Sequence, residues 1–212
     1  MHPVSRRRRA GFTLLETLVV LVIIGIGLKV GLNSMGTWSR AAKIEGASEF
    51  YLEGFRLARA EAVKHKSASR ISLINNTVTN QFDWQVDICF STVTVICDND
   101  SGTWSTTTTI ATGDPEGTTN GFKSILRKSP EMPRSEIMDQ DQLPAGATQV
   151  YYTPLGWVDT TVPLRLTRLT LKPPTGSPFT YPAAAIAITL SGMATKCAPA
   201  AADHDSRKCP PQ

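Results

Sequence analysis

The most constraining feature of this sequence is an apolar run at residues 12–31, which follows four consecutive arginines at residues 6–9. The run carries one carboxylate, Glu16, and no other charge before Lys29. A hydrocarbon core about 30 Å thick is crossed by roughly 20 apolar helical residues, which is about the length of this run. Basic residues that flank such a segment stay on the cytoplasmic side. The pattern therefore predicts a membrane-anchoring helix with a cytoplasmic N-terminus.

A secretory signal peptide is the alternative, because it also joins a basic stretch to an apolar one. The run is longer than the usual apolar region of a signal peptide, and the Gly-Leu-Asn sequence at residues 31–33 is a poor cleavage site. An ionised carboxylate in lipid costs about 3 kcal/mol or more unless it is paired, so Glu16 predicts a function for the run itself. These features favour an anchor that is uncleaved or processed differently.

Residues 11–16, Gly-Phe-Thr-Leu-Leu-Glu, resemble the prepilin leader of type IV pilins and type II secretion pseudopilins. The resemblance implies that a prepilin peptidase cuts between Gly11 and Phe12, and that Phe12 becomes an N-methylated first residue. It also implies that Glu16, as the fifth mature residue, pairs with the amino terminus of a neighbouring subunit. The implied partners are the peptidase, other minor and major pilins or pseudopilins, the inner membrane and its assembly platform.

The charge balance gives no general indication of nucleic-acid binding. The chain has 22 Lys and Arg residues against 18 Asp and Glu, and a formal net charge of +4. The four arginines at residues 6–9 account for this excess, since the first eleven residues contain no acid. A chain without them has 18 residues of each sign and no strong overall field.

Four cysteines follow the anchor, which places them in an oxidising compartment if the anchor is correct. Disulfides are the first interpretation, and the spacing favours Cys89 with Cys97 and Cys197 with Cys209. A zinc site is the alternative, although neither pair has two-residue spacing and no histidine lies between the first two cysteines.

A helical period continues past the apolar run, and no proline interrupts residues 12–66. We therefore predict one helix of about 55 residues, whose second half packs an apolar stripe on a sheet. Residues 55–62, Phe-Arg-Leu-Ala-Arg-Ala-Glu-Ala, resemble a stretch of the GspH/FimT family of minor pseudopilins and pilins. The predicted stripe consists of Ile44, Ala47, Tyr51, Phe55, Ala58 and Ala62.

Short β-branched runs follow residue 66, and Gly, Asn, Asp and Pro separate them. Residues 113–121 and 129–146 are predicted loops, and a phase shift near residues 167–168 is typical of a bulge. The predicted strands are residues 69–74, 84–90, 93–96, 106–111, 124–126, 149–153, 164–171 and 184–190.

These elements predict an α+β fold, a long N-terminal helix packed on antiparallel sheets, which is also what the family resemblance implies. We expect five segments along the chain: a leader at residues 1–11, a transmembrane half-helix at 12–33, an amphipathic half-helix at 34–66, a β-rich periplasmic domain at 67–191 and a cysteine-containing tail at 192–212.

No pattern of catalytic, metal-binding or cofactor-binding residues stands out, so we expect neither an enzyme nor a cofactor. Some FimT-type minor pilins bind DNA through a basic C-terminal loop with a Gly-Arg-x-Arg pattern. Both arginines of that pattern are missing here, which leaves Lys196 and the separate pair Arg207 and Lys208. Asp203 and Asp205 lie in the same loop and repel phosphate, and few cations give only weak, salt-sensitive binding. Nucleic acid is therefore an unfavoured partner.

The sequence thus predicts a minor pseudopilin or pilin of the GspH/FimT type, anchored in a bacterial inner membrane with a periplasmic domain. Such a subunit joins the tip of a type II secretion pseudopilus or a type IV pilus. The first alternative is a DNA-binding minor pilin for natural transformation. The second is an unrelated β-domain that is anchored or secreted.

Overall fold

The computed structural model describes residues 13–93, 95–98, 101–129, 133 and 135–211, without the side chains of residues 29–34. The chain divides into two compact units, Met1–Ser39 and Arg40–Gln212. Helix α1 (Leu14–His65) runs through both units without a break. The predicted continuous helix is therefore confirmed over the described residues.

The described part of the first unit is helical, and most of its side chains are exposed. Every described side chain from residue 13 to residue 28 is exposed, including the leucines, valines and isoleucines. Across the part of the chain that the structure describes, no helix combines the length and the apolar character that a membrane crossing needs.

In the second unit, α1 contributes its apolar stripe to a single core. The six residues of the predicted stripe are all buried, with relative exposures of 0 or 1%. Their spacing of three and four residues places them on one face of the helix, and this apolar face is the one that packs into the core. The stripe comprises Ile44, Ala47, Tyr51, Phe55, Ala58 and Ala62.

Two antiparallel four-stranded sheets complete the core, so the α+β fold is confirmed. The first sheet has the order β3-β2-β1-β5 and the second has the order β4-β6-β7-β8. A short helix, α2 (Gly117–Asn120), lies between the second and third strands of the chain. The strands are β1 (Ala68–Asn76), β2 (Gln81–Cys89), β3 (Ile125–Arg127), β4 (Asp139–Leu143), β5 (Gln149–Tyr152), β6 (Arg168–Lys172), β7 (Ala184–Ile188) and β8 (Ala194–Cys197).

A glycine lets α1 approach the first sheet closely. A Cβ at Gly54 would stand 2.8 Å from Ile71 Cδ1 and 2.9 Å from Trp84 Cδ2, closer than real Cβ contacts come. Trp84 Nε1 donates a hydrogen bond to the carbonyl of Phe50 at 3.0 Å, and Ser69 Oγ donates to that of Ala58 at 2.6 Å. Helix and sheet are therefore joined by packing and by satisfied polar groups.

Tyr51 connects α1 to both sheets. Its hydroxyl donates to the carbonyl of Phe82 in β2 at 2.8 Å and accepts from Gln140 Nε2 in β4 at 2.6 Å. Burial raises the pKa of Tyr51 well above its ordinary value of 10.0, so the hydroxyl stays neutral in this role.

The outer face of the first sheet is covered by an aromatic and ionic cluster. Arg70 Nε donates to Asp87 Oδ2 at 2.8 Å, and its guanidinium carbon lies 4.4 Å from the centre of the Trp104 ring. Trp104 in turn meets Tyr151 edge to face, with ring centres 5.8 Å apart. The long connection between β2 and β3 is thus packed against the sheet.

Two predicted strands in that connection are wrong. The described residues of 93–96 form no strand, because the Cys89–Cys97 disulfide closes them into a short loop. Residues 106–111 also form none. There the Thr106 hydroxyl accepts from the backbone amides of Thr108 and Thr109 at 3.2 and 2.9 Å, and such local bonds compete with a strand ladder.

The predicted strand at residues 164–171 is wrong in its first half, since β6 begins at Arg168. Leu166 donates its amide to the carbonyl of Gln149 in the first sheet, and Thr167 donates to that of Leu143 in the second, both at 2.8 Å. The phase shift therefore marks the point where the chain passes between sheets, rather than a bulge.

Two edge strands lie in segments that we expected to be loop or tail. Residues 129–146 contain β4, and residues 192–212 contain β8. Both strands are short and largely polar or small, as edge strands commonly are, so they lack the apolar alternation that predicts a strand. Each strand gains its order from one neighbour, β6 for β4 and β7 for β8.

Candidate functional site

The N-terminal part of the candidate site begins with the cap of α1. Gly11 and Phe12, the predicted cleavage and methylation residues, lie outside the described residues. Thr13 precedes the helix, and its Oγ1 accepts a hydrogen bond from the backbone amide of Glu16 at 3.3 Å. This bond satisfies one of the amides that a helix start leaves without a partner, so Thr13 fixes where α1 begins.

Glu16 lies in the first turn of α1, and its side chain is exposed. Threonine at the cap and glutamate three residues later is the spacing of a capping box, and a negative charge is favoured at a helix N-terminus. Among the described residues, no cation lies within ion-pair distance of the Glu16 carboxylate. The geometry thus presents a carboxylate on an exposed apolar helix, available to a cation from another chain.

The four cysteines form two disulfides, and the pairs are those that the spacing favours. Cys89 bonds to Cys97 with an S–S distance of 2.02 Å, and Cys197 bonds to Cys209 at 2.09 Å. Because each sulfur is bonded to another sulfur, none is a free thiolate ligand for zinc, which removes that alternative. Loops of this size contribute about 2–4 kcal/mol by restricting the unfolded chain.

The Cys197–Cys209 disulfide shapes the C-terminal loop at the end of β8. Ala198 and Lys208 form an isolated bridge, and the amide of Ala198 donates to the carbonyl of Arg207 at 2.7 Å. Arg168 of β6 and the tail residues Lys208 and Cys209 line one cavity. The tail is therefore held against the second sheet.

Lys196 is the first of three predicted DNA-contacting cations, and it binds α1. Its Nζ lies between the carboxylates of Glu45 and Glu49, at 2.7 Å from Glu49 Oε1. These hydrogen bonds, to Glu45 first and then Glu49, raise the pKa of Lys196, and the bond to Lys196 lowers that of Glu49. Lys196 therefore serves as a link between β8 and α1.

The other two cations are also paired with carboxylates. Arg207 Nη2 lies 2.8 Å from Asp205 Oδ2, and this bond lowers the pKa of Asp205 to about 2. Lys208 pairs with Asp203. Arg207 and Lys196 line one groove, whereas Lys208 lines a different one. The three cations do not form one free basic surface, which counts against the DNA-contact prediction.

Sequence reasoning missed a junction at the C-terminal end of α1. Arg59 Nε donates to the carbonyl of Gly156 at 3.0 Å, and a Cβ at Gly192 would stand 1.9 Å from that same oxygen. Gly156 and Gly192 both have positive φ, of 77° and 79°. Glycines in loops hint at tight turns, but no local pattern shows that these two meet.

Comparisons with known families agree with this architecture. A family model described as the prokaryotic N-terminal methylation motif matches residues 6–28. A second, described as type II transport protein GspH, matches residues 51–192. No curated protein and no solved structure matches the chain at a significant level.

The first match covers the arginines before α1 and the start of that helix, and the second covers the last part of α1, from residue 51, and strands β1 to β7. Together they define a pilin-like subunit of the minor pseudopilin class. The chain belongs to the GspH family, and the predicted relationship to GspH/FimT-type minor pseudopilins is confirmed. The alternative of an unrelated β-domain is therefore excluded.

Proposed function

We propose that the protein is a structural subunit of a type II secretion pseudopilus or a type IV pilus. A prepilin peptidase cuts it after Gly11, Phe12 is methylated, and the mature chain joins the filament at its tip. The observation that carries the proposal is the exposed Glu16 carboxylate in the first turn of an exposed apolar helix.

The position of Glu16 suits an assembly contact. After the cut, the new amino terminus is Phe12, two residues before Leu14 in the sequence. When apolar helices pack together they exclude water, and opposite charges then attract more strongly than they do in water. An unpaired carboxylate in such a bundle is costly, so the amino terminus of a neighbouring subunit both satisfies Glu16 and sets the helix register.

Before assembly, residues 12–33 lie in the inner membrane and residues 67–212 lie in the periplasm. The arginines at residues 6–9 support this orientation, because basic flanks remain in the cytoplasm. The two disulfides support it as well, because the periplasm favours disulfide formation.

Replacing Glu16 with glutamine tests the proposal, since Glu16→Gln keeps the shape and removes the charge. In the full chain we expect normal cleavage and a loss of filament incorporation of about tenfold or more, equivalent to at least about 1.4 kcal/mol. Thr17→Val is the matched control, because it changes the adjacent residue of the same exposed turn and leaves the carboxylate in place. Normal incorporation of Glu16→Gln would refute the pairing role.

A further inference from the structure

Four large apolar side chains are exposed around the C-terminal end of α1. The residues come from the helix and from the loops 153–158 and 189–193. We call them the Trp157 patch: Val63, Leu155, Trp157 and Leu190, with relative exposures of 48, 73, 60 and 64%. Large exposed apolar groups in one region commonly mark a contact surface, and tryptophan is enriched among the residues that dominate binding energy.

The two loops lie directly against each other and against α1. The amide of Val158 donates to the carbonyl of Leu190 at 3.0 Å. A Cβ at Gly156 would stand 2.8 Å from Val63 Cγ2, and one at Gly192 would stand 1.9 Å from the Gly156 oxygen. The four apolar residues therefore belong to three segments that meet at one junction.

Hydrogen bonds hold the loops in shape. The amide of Thr153 donates to the carbonyl of Trp157 at 2.8 Å, and that of Gly156 donates back to Thr153 at 2.8 Å. In the second loop the amides of Thr189 and Gly192 make the corresponding bonds, each at 2.9 Å. A surface that is already ordered loses little conformational entropy when it binds a partner.

The helix stripe beside the patch is basic. Arg56, Arg59 and Val63 follow spacings of three and four residues, so they share one side of α1, and Lys66 follows the helix end. Among the described residues, no carboxylate lies within ion-pair distance of these three cations. Their charge is therefore available to an acidic partner.

Carboxylates also lie near the patch. Glu49 and Glu53 line the same groove as Arg56, and Glu49 is paired with Lys196. Glu61 contacts Lys64 and His65, at 3.3 and 3.1 Å. Asp159 accepts hydrogen bonds from the amide and hydroxyl of Thr161 at 2.9 and 2.7 Å. The border of the patch keeps a small positive excess, with Arg56, Arg59, Lys64 and Lys66 against Glu53, Glu61 and Asp159.

The patch suits a protein partner, because apolar side chains of that partner would cover the exposed groups and its carboxylates would pair with the cations beside them. We propose that the Trp157 patch binds a different subunit of the filament, and that this partner presents apolar side chains flanked by carboxylates. The proposal rests on the proposed function.

The test is photo-crosslinking in cells with the full chain. A photo-reactive phenylalanine analogue replaces Trp157, and in a second variant it replaces Leu190. Val78 is the matched control position, since it is 86% exposed but lies in the turn between β1 and β2. We expect a discrete adduct from positions 157 and 190, about fivefold or more above that from position 78. The crosslinked peptide should belong to another filament subunit and carry Asp or Glu beside apolar residues.

Charge reversal provides the second arm. Arg56→Glu should lower the adduct yield about fivefold or more, whereas Arg127→Glu, an exposed residue of β3, should leave it unchanged. An adduct with a second copy of this chain, an adduct with phospholipid, or no adduct at either position would overturn the proposal. Determining the N-terminus of the chain in the same sample distinguishes failure of this proposal from failure of the proposed function. If the chain is processed and assembled but gives no adduct, only the proposal for the patch is rejected.

Discussion

Lys196 Nζ donates a hydrogen bond to Glu49 Oε1 at 2.7 Å, although 147 residues separate the two in sequence. The bond joins the edge strand β8 to helix α1, immediately before the cysteine that closes the C-terminal loop. The same lysine also contacts Glu45, one helical turn earlier. A cation that a sequence comparison places at a DNA contact thus serves within the protein as a structural link.

The Lys196 link should make stability depend on pH in two ranges. The bond to Lys196 lowers the pKa of Glu49 from 4.5, so its contribution to stability is present above that value and is lost as pH falls through the folded pKa. The bonds to Glu45 and Glu49 raise the pKa of Lys196 from 10.5, so its contribution is present below 10.5 and is lost as pH rises through the folded pKa.

We predict that Glu49→Gln flattens the acid side of this profile. The unfolding temperature of the full chain in detergent, measured between pH 6 and 3, should fall less steeply for the variant than for the wild type. Glu53→Gln is the matched control, because Glu53 is exposed one turn later on α1 and has no ion-pair partner among the described residues. Parallel profiles for the wild type and Glu49→Gln would contradict the link.

The pairing of all three C-terminal cations predicts no functional DNA binding. A phosphate must displace a carboxylate from Lys196, Arg207 or Lys208 before it gains a contact, and three contacts give only weak binding. In a gel shift at low salt, we expect the wild type and the triple alanine variant of these residues to behave alike. A salt-sensitive shift that the triple variant abolishes would restore DNA binding as a function.

The contact between Gly192 and Gly156 predicts a large effect from one methyl group. Gly192→Ala places a Cβ against the backbone oxygen of Gly156. A backbone atom cannot move aside as the end of a flexible side chain could. We expect a loss of about 2–4 kcal/mol, of which the positive φ accounts for about 1–2 and the overpacking for the rest. Thermal unfolding of the full chain measures this loss.

Gly146 provides the control for backbone strain. Its φ of 78° nearly equals that of Gly192, but a Cβ there would meet nothing within 4 Å. Gly146→Ala should therefore cost only about 1–2 kcal/mol, the strain alone. Equal losses for the two variants would show that the loop junction contributes nothing.

The helix and its buried stripe could be predicted because local sequence determines them. The spacing of three and four residues between Ile44, Ala47 and Tyr51 predicts both the helix and the face that it buries. The disulfide pairs follow from short separations of 8 and 12 residues. The family resemblance likewise rests on contiguous motifs, at residues 11–16 and 55–62.

The features that could not be predicted depend on distant parts of the chain. The strand β4 is Asp-Gln-Asp-Gln-Leu, and only its pairing with β6 makes it a strand. The threonines at residues 106–109 have strand propensity, yet hydrogen bonds from local amides to the Thr106 hydroxyl hold them in a turn instead of a strand. The Lys196 link and the Gly156–Gly192 contact have no local signature, because each joins segments brought together by the fold.

The central claim is that this chain is processed as a prepilin, so that Glu16 becomes the fifth residue of an assembly helix. Mass spectrometry of the N-terminal peptide from the mature protein, isolated from its native membranes, tests this most directly. Our account predicts an N-terminal peptide that begins at N-methylated Phe12. A mature chain that retains the arginines at residues 6–9, or one that begins beyond Gly31, would contradict it.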